Sequence, residues 1–163
     1  MSEISFLNKT SLTMIEWEKL YQELLITGVE VLGLKDNLSL AVIWVAKPEA
    51  LLLNQEYRKQ EYVPDVISFP LSMSADIAMA VAERELGDLF ICYEVAQQKA
   101  TKYHHEVREE MAFLFVHGFL HLLGYDHEDN FTQEEEMFLL QDKILKAAGI
   151  NYEVIYDDES YLT

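Results

Sequence analysis

The sequence predicts a small layered fold of mixed class, α+β or α/β, built around one sheet. Three observations carry that expectation. Strand-forming runs fall in the first two-thirds of the chain, and one of them, "LSLAVIWV" from Leu38 to Val45, is apolar throughout apart from Ser39. Helical spacing dominates the last third, where Met111 to Leu123 is apolar on every side apart from two histidines and Gly118. The length of 163 residues suits one domain over 1–163, enough to bury about 68–70% of the unfolded surface.

The elements follow in order. Ile4 to Leu7 is a short strand candidate. Thr13 to Leu32 has amphipathic helical spacing, with Trp17, Leu20, Leu24 and Val31 on one side and Tyr21, Leu25 and Leu32 beside them. Thr13 and Glu16 offer a capping box at its start. Leu38 to Val45 reads as a strand buried on both faces. Pro48 opens a helix to about Arg58. Asp65 to Phe69 and Asp88 to Tyr93 are strand candidates, and the polar, small-residue segment from Ser72 to Leu86 between them fits no single element. Helices follow from Tyr93 to about Tyr103, from Glu106 to Leu123, and from Gln133 to Ala148, where Gly149 stops the last one.

Composition narrows the function classes. Half the residues are hydrophobic and a quarter charged, ordinary globular usage. Cys92 is the single cysteine, so no internal disulfide framework holds the fold. The start, "MSEISFLNKTSL", lacks a basic residue group followed by an apolar run, and no apolar stretch reaches membrane-spanning length. The expectation is a cytoplasmic protein with no membrane partner. Twelve basic residues stand against 29 acidic ones, a net charge of −17. That balance argues against a broad, nonspecific nucleic-acid-binding surface but leaves room for a local basic cleft.

The chemistry concentrates in "FVHGFLHLLGYDHED", where His117, His121 and His127 follow the spacing H-x3-H-x5-H with Gly124 three residues before the last. On a helix, His117 and His121 lie about 40° apart and one turn from each other, so both imidazoles can bind one ion. Gly124 can take the left-handed conformation that ends the helix and brings His127 round as a third ligand. Three protein nitrogens leave a fourth position open, the catalytic rather than the structural zinc arrangement. The bland alternative is two core histidines and one surface histidine. Given His117, histidine at both other positions arises by chance roughly once in a thousand at this composition, so the metal reading prevails. His104 and His105 lack such a pattern and read as solvated.

The spacing is that of the zinc-protease helix H-E-x-x-H-x-x-G-x-x-H, with Gly118 where the protease carries its general base. Glu110 shares the histidine face but lies two turns earlier, roughly 10 Å along the axis. A zinc-bound water already ionises near neutral pH, and a phosphodiester wants positive charge on its oxygens. The missing acid therefore favours phosphoryl over peptide chemistry.

At "HGFLHLLGYDH" the sequence resembles the YbeY family of bacterial ribosomal-RNA maturation factors. "LNQEYRKQEYVPDVISFP" from Leu53 to Pro70 looks like the family's L-N-x-x-[YF]-R and T-D-V-L-S-F-P segments, and "LGDLFICYEVAQQKA" from Leu86 to Ala100 like its L-G-D-I-x-I strand and helix. The resemblance implies an α+β domain with a mixed sheet of about four strands and a zinc helix packed on it. It also implies one Zn2+ held by His117, His121 and His127, and a functional arginine at Arg58. The implied activity is metal-dependent cleavage of single-stranded RNA, not DNA, in 16S ribosomal RNA 3′-end maturation and ribosome quality control. The small ribosomal subunit and its proteins are the implied partners. Two positions depart from the family pattern: Pro64 stands for threonine and Ile67 for leucine.

Arg58 has a physical case too, since a guanidinium holds two phosphate oxygens in a planar fork. Without the surrounding segment it would read as a helix-surface ion-pair residue. Lys59, Lys99 and Lys102 are candidates to extend a basic strip from it. Asp65 and Ser68 could orient water or a ligand, and the slightly favoured alternative is a strand-capping carboxylate and a polar strand end. Asp126 could accept an imidazole proton, and a turn aspartate is the equal alternative. Glu134 to Glu136 and Asp157 to Glu159 read as solvated faces, and Cys92 as a buried small hydrophobe. The rival functions are a metalloprotease, which needs a base near the metal, and a noncatalytic ribosome-assembly factor with structural zinc.

Overall fold

The computed structural model describes residues 2–71, 83–125 and 131–152. Within them the elements are β1 (Glu3–Asn8), α1 (Ile15–Leu32), β2 (Asn37–Trp44), α2 (Lys47–Arg58), β3 (Val66–Pro70), β4 (Glu83–Ile91), α3 (Tyr93–Tyr103), α4 (Val107–Leu122) and α5 (Phe131–Ala147). The sheet order is β1-β2-β4-β3. β1, β2 and β4 run parallel, and β3 pairs antiparallel with β4. The result is a single small α+β domain with the expected four-stranded mixed sheet.

Side-chain alternation along the central strand divides the core. Leu38, Leu40, Val42 and Trp44 of β2 enter the main cluster with the apolar faces of α1, α4 and α5. Ile43 and Val45, pointing the other way, join Ala50 of α2 and Cys92 and Val95 at α3 in a smaller cluster. A strand covered on both faces needs apolar residues at consecutive positions, which explains the unbroken run from Leu40 to Val45. Tyr21 of α1 bridges the layers, its ring 5.3 Å from Trp44 and 4.6 Å from Phe115. Burial pushes the Tyr21 phenol well above its usual range, and burial likewise raises the Cys92 thiol.

Helix α4 lies at the centre of the main cluster. Every residue from Glu110 to Leu120 is buried, as expected for a helix that is apolar all round. Its N-terminus is a reciprocal capping box between Glu106 and Glu109. Past its end Gly124 takes a φ of 104°, and the Tyr125 N–H returns to the Leu120 carbonyl at 3.0 Å. The expected glycine turn is in place.

Gly118 supplies the close approach between this helix and the sheet. A Cβ built there would meet Leu89 Cδ2 of β4 at 2.7 Å, inside van der Waals contact, and Leu89 is itself fully buried. The helix can press this near to the strand because position 118 carries no side chain.

Three expectations need correction. Helix α1 starts at Ile15, with Met14 as its N-cap and no side-chain cap bond, so Thr13 and Glu16 form no capping box. Met14 is buried in the core while Thr13 is exposed, and anchoring the apolar side chain sets the boundary. Strand β4 starts at Glu83 and ends at Ile91, with Tyr93 already in α3. Of the segment left unassigned, residues 72–82 lie outside the described residues and the rest joins β4.

The third correction concerns His105. His104 is exposed, as expected. The His105 side chain is only 11% exposed and its Nδ1 lies 2.9 Å from Oε1 of Glu110, a side chain with no exposure. Tyr152, beyond α5, joins the same carboxylate. Its hydroxyl donates to the same oxygen at 3.4 Å, and its ring stacks on Phe113 at 4.4 Å. A carboxylate buried on the central helix draws its partners from the loop before that helix and from the chain after α5.

Two measurements test this packing. Gly118→Ala must displace a packed Leu89, and overpacking of this kind costs about 1–3 kcal/mol; urea unfolding reads the loss, and an unchanged midpoint would mean helix and strand separate freely. His105→Ala removes a partner of a buried carboxylate and lowers stability by about 1–3 kcal/mol. Retention of wild-type stability in that variant would show that Glu110 does not depend on His105.

Candidate metal centre and anion pocket

His117 and His121 stand on adjacent turns of α4, and their rings meet edge to face with centroids 4.5 Å apart. The two Nε2 atoms face each other at 3.0 Å. Zinc–nitrogen bonds of about 2.0–2.1 Å put two tetrahedral ligands about 3.3 Å apart, so the pair fits one small cation with a slight adjustment of the rings. His117 is 4% exposed and His121 is half-buried. The site therefore has a protein-facing ligand and one nearer the surface. Among the described residues no third histidine, cysteine or carboxylate completes a ligand set. His127 and Asp126 lie outside the described residues.

The inner imidazole is held on two sides. Phe113, one turn earlier, stacks on the His117 ring with centroids 5.5 Å apart. Oε1 of Gln141, from the facing α5, lies 2.6 Å from His117 Nδ1. Gln141 was not singled out from sequence. The signal was there: Met137, Gln141, Ile144 and Leu145 form one buried helical face, and Gln141 is its only polar member.

Among the described residues, the acid on the histidine face is Glu110, and it does not serve this centre. Glu110 is turned to His105 and Tyr152, as described above. A side chain at position 118 would run into Leu89 rather than toward the imidazoles. Close packing is thus a sufficient reason for Gly118, and its choice does not by itself identify the substrate.

Arg58 ends α2, where Lys59 reverses the chain with a φ of 57°. The half-buried Arg58 lines a pocket of about 70 Å³ with Tyr62, Val63, Pro64, Asp65, Val66 and Lys99. Pro64 is therefore a wall of this pocket. Among the described residues the Arg58 guanidinium has no hydrogen bond or ion pair. Lys99 is held differently, with Nζ 2.6 Å from Asp65 Oδ2 and the pair largely buried. The other oxygen of Asp65 accepts the Val66 N–H at 2.9 Å, the strand-capping role expected of it. Lys59 turns back to the Glu56 carbonyl, and Lys102 sits 5.1 Å from the centre of the Tyr103 ring. Of the three lysines only Lys99 shares the pocket. Neither histidine is among the described residues that line this pocket.

Comparison with known proteins was made against this geometry. The family model described as Endoribonuclease YbeY matches residues 3–149. A Mesoplasma florum protein named Endoribonuclease YbeY is 47% identical over 99% of this chain and 95% of its own length. Relatives of the same name from Mycoplasma mycoides subsp. mycoides and Staphylococcus aureus are 41% and 40% identical, covering 99% and 92% of this chain and 98% of each relative. The solution structure of TM1509 from Thermotoga maritima superimposes with a TM-score of 0.61 at 28% identity, covering 89% of this chain and 88% of that one. On the family match and these near full-length relatives, the chain belongs to the YbeY endoribonuclease family.

Proposed function

We propose that this protein is a metal-dependent endoribonuclease that cuts single-stranded RNA in the cytoplasm. Its setting is maturation of the 16S ribosomal RNA 3′ end and ribosome quality control, with precursor RNA, the small ribosomal subunit and its proteins as partners. The observation that carries the metal reading is the pair of imidazole Nε2 atoms 3.0 Å apart on a buried helix. His117, His121 and His127 would hold one Zn2+ per chain. Such a cation supplies Lewis-acid polarisation of a phosphoryl oxygen and makes water a stronger acid.

The chain's own residues do the rest. Burial of α4 keeps the imidazole pair in fixed geometry, so little reorganisation is needed when substrate arrives. Arg58 offers a guanidinium that no carboxylate engages among the described residues, suited to a phosphate oxygen and to charge developing on it. The surface as a whole repels RNA, at −17, and attraction is confined to the local cationic groups. Capture then requires a strand thin enough to reach them, and recruitment through a basic ribosomal protein suits the acidic exterior.

The test is cleavage of an end-labelled single-stranded RNA by purified protein, with His121→Ala and Arg58→Ala prepared alongside and their folding checked. Loss of activity in His121→Ala and a fall of about 10²–10³-fold in Arg58→Ala are expected. Equal cleavage by all three would mark a contaminating nuclease and remove support for the reading. A wild-type protein that binds one zinc but cuts nothing, even on ribosomal particles, would favour the noncatalytic assembly factor.

A further inference from the structure

We propose that Gln141 is a positioning residue for the metal centre: through its side-chain oxygen it holds His117 in the tautomer that leaves Nε2 bare. The inference rests on the metal reading above and adds a residue from a different helix to the site.

An imidazole binds a cation through a nitrogen lone pair, and the other nitrogen then carries the proton. At His117 the nitrogen that faces His121 is Nε2, and the nitrogen that faces Gln141 is Nδ1. The amide oxygen beside Nδ1 accepts its N–H, which assigns the proton to Nδ1 and the lone pair to Nε2. The separation of 2.6 Å is short for this kind of bond, and both groups are nearly out of water, His117 at 4% and Gln141 at 2% exposure. In such surroundings a hydrogen bond decides a tautomer more firmly than it would in solvent. Stacking on Phe113 fixes the plane of the ring, so the bond to Gln141 is left to set its protonation.

Stability alone gives a poor reason for this glutamine. Its side-chain Nε2 is buried without a hydrogen-bond partner among the described residues, which is a cost to the fold. The neighbours on its face of α5 are Met137, Ile144 and Leu145, all buried, and a leucine would sit among them without that cost. What leucine lacks is an acceptor for His117 Nδ1–H. Glutamate keeps it.

The experiment uses the full chain as wild type, Gln141→Leu and Gln141→Glu. Long-range 15N–1H spectra of the metal-free protein report the His117 tautomer, and competition against a chromophoric chelator reports Zn2+ affinity. Wild type is expected to show the proton on Nδ1. Gln141→Leu loses that preference and binds Zn2+ about 10–100-fold more weakly, and its thermal stability falls because the buried His117 Nδ1–H loses its acceptor. Gln141→Glu retains both the tautomer and the affinity. If Gln141→Leu keeps the wild-type tautomer and an affinity within twofold, the proposal is wrong. A wild-type chain that takes up no Zn2+ would overturn the metal reading separately, and the tautomer spectra would still decide whether Gln141 orients the ring.

Discussion

The structure depends on one helix that must be buried along its whole circumference and still present two imidazoles to a common point. Val107–Leu122 meets the first demand with apolar side chains on every face, and the sheet, α1 and α5 close round it. The second demand works against the first, because a buried polar ring without a partner is costly. The partners come from three directions: His121 on the next turn, Phe113 on the turn before, and Gln141 across the interface with α5. A further polar group on the helix, Glu110, is met by His105 and Tyr152. The core is thus specified as much by where its few polar atoms find each other as by the volume of its apolar side chains.

Gly118 shows how packing and chemistry share a residue. Its missing side chain lets α4 approach Leu89 of β4, and the same absence leaves no carboxylate beside the first histidine. A side chain at this position would have to displace the packed Leu89 side chain. An arginine pocket lies where α2 meets the start of β3. The acidic exterior and the confined cationic groups make approach selective, since a broad duplex surface would meet mostly repulsion.

Much of this was legible in the sequence where the signal is local. The histidine spacing, the all-apolar stretch round it and Gly124 are features of neighbouring residues, and periodicity reads them directly. The two-sided burial of β2 follows from an unbroken apolar run for the same reason. Long-range partners were not legible. Gln141 lies 24 residues from His117, and Tyr152 lies 42 from Glu110. His105 reads as solvated because nothing nearby in sequence announces a buried carboxylate one turn into the next helix. The start of α1 was misplaced because a good capping pair at Thr13 and Glu16 competed with burial of Met14, and burial won. Lys59, Lys99 and Lys102 look alike in sequence, and only the fold separates the one that enters the arginine pocket.

The central claim is that His117 and His121 share one cation. Cobalt titration of the metal-free protein tests it most directly, because visible absorption reports both stoichiometry and coordination geometry. Saturation at one Co2+ per chain, with the intense absorption of a four-coordinate site that is lost in His121→Ala, is the result this structure requires. Binding that is absent, or that survives in His121→Ala with an unchanged spectrum, would contradict it.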